Sequence, residues 1–252
     1  MTHGPPGTWD RVVIVPTYAR NTAFLRDCLA SLAGYRAVPI LLVVTAASRE
    51  SVAAATAIAD EFPGTVARIE TLEADTSELG GLHVACRCTS AREMFLLHDS
   101  CEVLDHGLFR IAFDELCGSA VPMLRSYGLV WTSCLGKYRR ATLDRIDPAL
   151  LLPGGRLEAM EAEITFTQAY SRAEPQLVDF PEPMRETDEI VARHGRDNHL
   201  MANSYLRKWK ASWSIDHVFR SAQQGARDPA RMQSETRMSH AILEEFFGKP
   251  KD

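Results

Sequence analysis

No stretch of this chain is apolar for the length of a membrane span, and its N-terminus, MTHGPPGTWD, has neither the basic nor the apolar region of a secretory signal. No glycine-rich phosphate loop with a basic residue follows the first apolar run. The six cysteines, Cys28, Cys86, Cys88, Cys101, Cys117 and Cys134, match no zinc spacing, and Cys86-x-Cys88 has no second half. They read as small apolar filler and reduced thiols, which points to a cytoplasmic protein. A net charge of −5 leaves no general basic face, so nucleic acid is not the expected partner. Repeats and low-complexity tracts are missing too. What is present is ordinary for a globular chain: 252 residues, 46% hydrophobic and 24% charged, enough to bury a core without disulfides.

The first hundred residues alternate two periodicities. RVVIVP (11–16), VPILLVVT (38–45), TVARIETL (65–72) and MFLL (94–97) are short runs of the kind that strands make, most of them apolar enough to be buried on both faces. Between them, 22–32 places Phe24, Leu25, Cys28, Leu29 and Leu32 at helical spacing. Ser48 is positioned to cap a helix running to Phe62, where Pro63-Gly64 stops it, and 78–92 is a helix weakened by Gly80-Gly81. Strand and helix in strict alternation predict an α/β domain with a mostly parallel sheet, flanked by helices and joined by right-handed crossovers.

That order brings three polar stretches to the carboxyl ends of strands, where open α/β sheets bind ligands: 17–21, 45–48 and 98–102. The last, His98-Asp99-Ser100-Cys101-Glu102, offers acidic oxygens suited to a hard divalent cation carrying phosphates. The competing reading is that Asp99 and Asp105 merely cap turns and the next helix. Further on, helices are expected at 105–116, 141–146 and 157–170, with a short strand at 128–133. Tyr205, Trp209 and Trp213, interleaved with Lys208 and Lys210, suit either base or sugar stacking or a surface helix docked by its aromatic face. The stretch 227–252 reads as an amphipathic helix that packs on the body or on a second subunit, making a homo-oligomer.

Four ordered landmarks carry a resemblance. VVIVPTYARNTAFLRDCLASL is similar to the opening of the GT-A type glycosyltransferases, family 2 in particular. FLLHDSCEVLDHGLF resembles that group's strand and Asp-x-Asp-Asp motif, GKYRRATLDRI the stretch before its acceptor site, and MEAEITFTQAY its Glu-Asp motif with the catalytic base. The likeness spans roughly residues 10–172. It departs from the pattern at Thr45-Ala46, where the family has an acidic pair, at Cys101 in place of the second acid, and at Glu161-Ala162-Glu163.

The resemblance implies a GT-A, Rossmann-like domain over residues 1–252: a nucleotide-sugar half (10–120), an acceptor half (121–215) and a helical C-terminal extension (216–252). It implies transfer of a hexosyl group from a UDP- or GDP-type donor to an acceptor, with inversion. Pro16, Thr17, Tyr18, Arg20, Thr45, His98, Asp99 and Ser100 would lie along the donor, with Arg139 and Arg140 on its phosphates. Mn²⁺ or Mg²⁺ would rest on Asp99 and Glu102, and Glu163 or Glu161 would be the base. Glu163 is favoured, because Ile164 and Phe166–Thr167 follow it as apolar residues follow the family's catalytic aspartate. Two other readings are a degenerate GT-A binding or assembly subunit, supported by Cys101 and Thr45-Ala46, and a sugar-nucleotide nucleotidyltransferase, disfavoured by the missing phosphate loop.

Overall fold

The computed structural model describes residues 8–18, 22–123, 125–126, 130–131, 134–154 and 156–211. The expected C-terminal helix at 227–252, Trp213 and Arg20 all lie outside them. Contacts divide the chain into two units, one running to Arg185 and including Ala202–Lys208, the other formed by Glu186–Met201 and the residues from Trp209 on.

The first unit is built on β1 (Arg11–Tyr18), β2 (Ile40–Thr45), β3 (Arg68–Thr71) and β4 (Glu93–Leu96), joined by α1 (Thr22–Ser31), α2 (Arg49–Asp60) and α3 (Leu79–Cys88). These four strands are parallel, and β1, β2 and β4 are buried along nearly their whole length, as their unbroken apolar runs require. Ser48 caps α2 reciprocally with Ser51: each side chain accepts the other's backbone N–H, at 3.2 and 2.7 Å.

The paired glycines do not break α3; they let it lie close on the sheet. A Cβ on Gly81 would sit 3.2 Å from Ile14 and 3.3 Å from Pro16, tighter than packed side chains normally stand. The low helix propensity of Gly is thereby offset by close backbone packing.

Sheet order is β3-β2-β1-β4-β9-β6, where β6 is Val121–Pro122 and β9 is Gly136–Arg139. The chain steps outward from β1 to β3, then returns to lay β4 on the other side of β1. The crevice at the carboxyl ends of β1 and β4 is therefore the switch point of the sheet. On the far side of β4, β9 runs antiparallel to β4, and β6 pairs antiparallel with β9. GKYRRATLDRI thus begins as a strand, and its helix, α5 (Arg140–Leu143), is only one turn.

Smaller pieces complete this unit: β5 (Cys101–Val103), α4 (Gly107–Arg110) continued by a π-helical turn at Ile111–Glu115, and a two-residue ladder of β7 (Arg125–Ser126) and β8 (Val130–Trp131). A 3₁₀ turn follows at Pro148–Leu151, then α6 (Arg156–Ala173). Among the described residues no helix is long and apolar enough to cross a membrane.

The stretch expected to be an aromatic surface helix is instead extended. β10 (Arg185–Arg193) and β11 (Arg196–Ala202) are neighbouring strands joined through His194 and Gly195, both at positive φ (51° and 71°), the left-handed pair that tight hairpins demand. β12 (Leu206–Ala211) follows. In the second unit the Arg193 guanidinium stacks over the Trp209 ring, 4.2 Å from its centroid. In the first, Leu206 to Lys208 pair antiparallel with Val103 to Cys101.

Candidate active site

At the switch point the ends of β1 and β4 are tied together. The Thr17 hydroxyl donates to Asp99 Oδ2 at 2.8 Å, and the backbone N–H of Tyr18 donates to the same carboxylate. Thr45, fully buried at the end of β2, donates its hydroxyl to the Thr17 carbonyl at 3.3 Å. Pro16 and Thr45 therefore shape the crevice from within, while Tyr18 and Ser100 are only partly buried.

Burial drives the Asp99 carboxyl up to about 7, and Glu78 nearby pushes the same way, against the Thr17 hydrogen bond and Lys208. Burial also raises the Tyr18 phenol far above its ordinary value, helped by the carboxylates of Glu78, Asp75 and Glu163, with a hydrogen bond to Asp75.

Two residues of this cluster, Glu78 and Lys208, are not among the site residues expected from the sequence, where Lys208 stands out only as a basic residue between aromatics. Glu78 sits at the start of α3, and its Oε1 lies 3.2 Å from His98 Nδ1. Burial opposes its ionisation, yet His98, Lys208 and the Ser77 hydroxyl together hold it below the usual carboxylate range. Lys208, 4% exposed, reaches in from β12: its Nζ is 2.7 Å from His98 Nδ1 and 3.5 Å from Ser100 Oγ. Its strand is held by Asn203, whose Oδ1 accepts the N–H of Tyr205 and Leu206 and whose Nδ2 donates to the Glu182 carbonyl at 2.7 Å.

Among the described residues, three of the four non-glycine residues at positive φ also adjoin the cluster. Ala46 (48°) follows Thr45, Ser77 (51°) precedes Glu78, and Cys134 (50°) feels the charges of Glu163, Glu78 and Lys208. Such a conformation costs roughly 1–2 kcal/mol per residue and tends to collect at functional sites.

Glu163 lies on the inward side of α6. Phe166, Thr167 and Tyr170, at helical spacing from it, are all buried, and Phe166 and Tyr170 pack on Tyr138 with centroids 5.7 and 5.0 Å apart. Two residues along the helix, Glu161 falls some 200° away around the axis. Glu163 thus joins Tyr18 and Glu78 at the cluster.

Arg139 and Arg140 are not brought to this cluster. Arg139 is paired with Glu93 at the opposite end of β4, and its guanidinium donates to Glu174 at 2.8 Å. Glu174 is also bound by Thr142 and Tyr170, a closed structural knot. Arg140 donates to Asp144 at 2.9 Å, one helical turn away.

The residues expected to hold Mn²⁺ or Mg²⁺ do not form a ligand set. Side chains alternate along β5, so Glu102 points away from the face that Cys101 shares with Lys208. Burial pushes the Cys101 thiol up to about 11, so it stays protonated. Asp99 is left as one carboxylate, already bonded to Thr17 and standing in the field of Lys208, whose charge repels a dication. Among the described residues no three His, Cys, Asp or Glu converge as a metal site.

No family model and no curated protein matches the chain. Solved structures do. Residues 1–349 of TarS from S. aureus match over 94% of this chain and 72% of that one, at 14% identity and TM-score 0.52. The same fragment in complex with UDP-GlcNAc gives 14% identity over 94% and 73%, with a TM-score of 0.54. The mannosyltransferase PcManGT from Pyrobaculum calidifontis, in complex with GDP-Man and Mn²⁺, gives 15% identity over 100% and 79%, again at TM-score 0.54. The chain therefore has the α/β fold of these proteins, the GT-A fold its sequence landmarks implied.

Proposed function

We propose that the protein transfers a hexosyl group from a UDP- or GDP-linked sugar to an acceptor nucleophile, with inversion at the anomeric carbon. The observation that carries this reading is one cluster at the switch point of a GT-A sheet. There Thr17, Tyr18 and Asp99 close the ends of β1 and β4, and the Glu163 carboxylate faces the same ground from α6. Two proteins of this fold were solved with UDP-GlcNAc and with GDP-Man, which sets the donor classes to try.

In the reaction the donor diphosphate lies across the ends of β1 and β4 and the sugar projects towards α6. The acceptor hydroxyl attacks the anomeric carbon as the bond from that carbon to the diphosphate oxygen breaks. The electron pair leaves with the nucleoside diphosphate, and the acceptor proton passes to Glu163. A single displacement of this kind inverts the centre. Tyr18, kept neutral chiefly by burial and then by its acidic neighbours, donates a hydrogen bond without becoming charged itself.

The test is release of nucleoside diphosphate from a panel of UDP- and GDP-sugars. The reading expects turnover with one donor class, lost in Glu163→Gln. A wild-type chain that binds these donors but never turns them over with any acceptor would instead be a binding subunit.

A further inference from the structure

Resting on that reading, we infer that the cation facing the donor diphosphate in this protein is the Lys208 ammonium, in place of a divalent metal.

Burying an ammonium to 4% exposure is unfavourable by several kcal/mol unless it is matched by partners, and an apolar residue would fill this position on β12 without that cost. Yet Lys208 is directed to the switch point by two independent restraints: its register opposite Cys101, and the Asn203 turn that starts its strand. Its Nζ has three N–H donors. One is directed at His98 Nδ1 at 2.7 Å and a second, weakly, at Ser100 Oγ at 3.5 Å, which among the described residues leaves a third for an incoming oxygen.

The Lys208 ammonium stands 2.7 Å from His98 Nδ1. Glu78 faces the same ring nitrogen at 3.2 Å and Asp99 adjoins it, so the ammonium lies among carboxylates much as a bound cation would. A diphosphate entering between Tyr18 and Asp99 meets this fixed charge and, among the described residues, no metal ligand set.

The experiment is calorimetric titration of UDP, GDP and their monophosphates into the full chain, in EDTA and with Mn²⁺. The wild type should bind one diphosphate with affinity equal within about twofold in the two buffers. Lys208→Met should weaken that diphosphate about 10- to 100-fold while changing the monophosphate little, since a charge-assisted hydrogen bond to the outer phosphate is what is lost. A merely structural lysine would lower both alike.

Asp99→Asn decides the matter independently should Lys208→Met not fold. It keeps the Thr17 contact and removes a competing anion, so diphosphate binding in EDTA should persist or tighten. Binding seen only with Mn²⁺, or abolished in Asp99→Asn, would overturn the role of Lys208 while leaving glycosyl transfer standing. Binding of neither diphosphate in either buffer would overturn both.

Discussion

Thr17 and Asp99, 82 positions apart in sequence, are joined by a 2.8 Å hydrogen bond across the ends of two neighbouring parallel strands. The bond closes the switch point of the sheet, and the chemistry proposed for this protein is organised around it. It also makes the ionisation of Asp99 a property of the fold.

That ionisation predicts a pH dependence of stability. In the unfolded chain an aspartate loses its proton near 3.9, whereas burial holds Asp99 to about 7 in the native state. Between those values the native state binds more protons than the unfolded one. The stabilisation is therefore complete below about pH 4 and is lost as pH rises to about 7. Asp99→Asn has no proton to lose. It should be more stable than wild type above about pH 7, by on the order of 2–4 kcal/mol, and nearly equal at about pH 4. Urea unfolding of both proteins across this range measures it; a difference that does not vary with pH would show that Asp99 titrates normally.

Glu163 and Glu161 should behave unlike each other. Glu163→Gln removes the proposed proton acceptor and is expected to lower turnover by about 10²–10⁴-fold with donor affinity little changed. Glu161→Gln should lose less than about threefold. Single-turnover rates and donor titrations of both variants separate the outcomes. A loss confined to Glu161→Gln would reassign the base.

Gly80 is held by its surroundings. A Cβ there would lie 1.9 Å from the Oγ1 of the fully buried Thr76 and 2.7 Å from Leu72. Alanine is favoured in a helix by about 1 kcal/mol, but overpacking at a buried contact costs about 1–3 kcal/mol. Gly80→Ala should therefore lower the urea midpoint. A rise of the size that helix propensity alone gives would show that α3 shifts freely.

Lys137 is fully buried and donates to Glu93 at 2.8 Å and to the Leu116 carbonyl at 2.7 Å. Glu93→Leu strands that ammonium and should destabilise the protein by about 3–5 kcal/mol. Adding Lys137→Met should recover most of the loss, because an apolar pair replaces a buried ion pair at little net cost. If the double variant is no better than the single one, the two charges act separately.

The parts of this molecule that were legible in the sequence are those where burial writes a long pattern. VVIVP and ILLVV could only be strands covered on both faces, and Ser48 with Pro63-Gly64 bracketed α2 almost to the residue. β6 to β9 are two to four residues long, too short to show any period. The spacing of Tyr205 and Trp209 misled for a physical reason: a step of four suits one face of a helix and equally the two-fold alternation of a strand. The site divides the same way. Thr17, Tyr18 and Asp99 lie at strand ends, where the sequence pattern puts them. Glu78 arrives through a helix start that nothing local marks, and Lys208, marked only by its aromatic neighbours, arrives through a distant strand. Arg139 and Arg140 looked like phosphate ligands because their strand was unseen, and that strand carries them to the other end of β4.

The most direct test is a crystal structure of the protein with the nucleoside diphosphate that binds it. The account predicts the diphosphate across the ends of β1 and β4, between Tyr18 and Asp99, with the Glu163 carboxylate facing the vacant sugar position. A nucleotide bound anywhere else on the molecule, with Thr17 and Asp99 untouched, would contradict it.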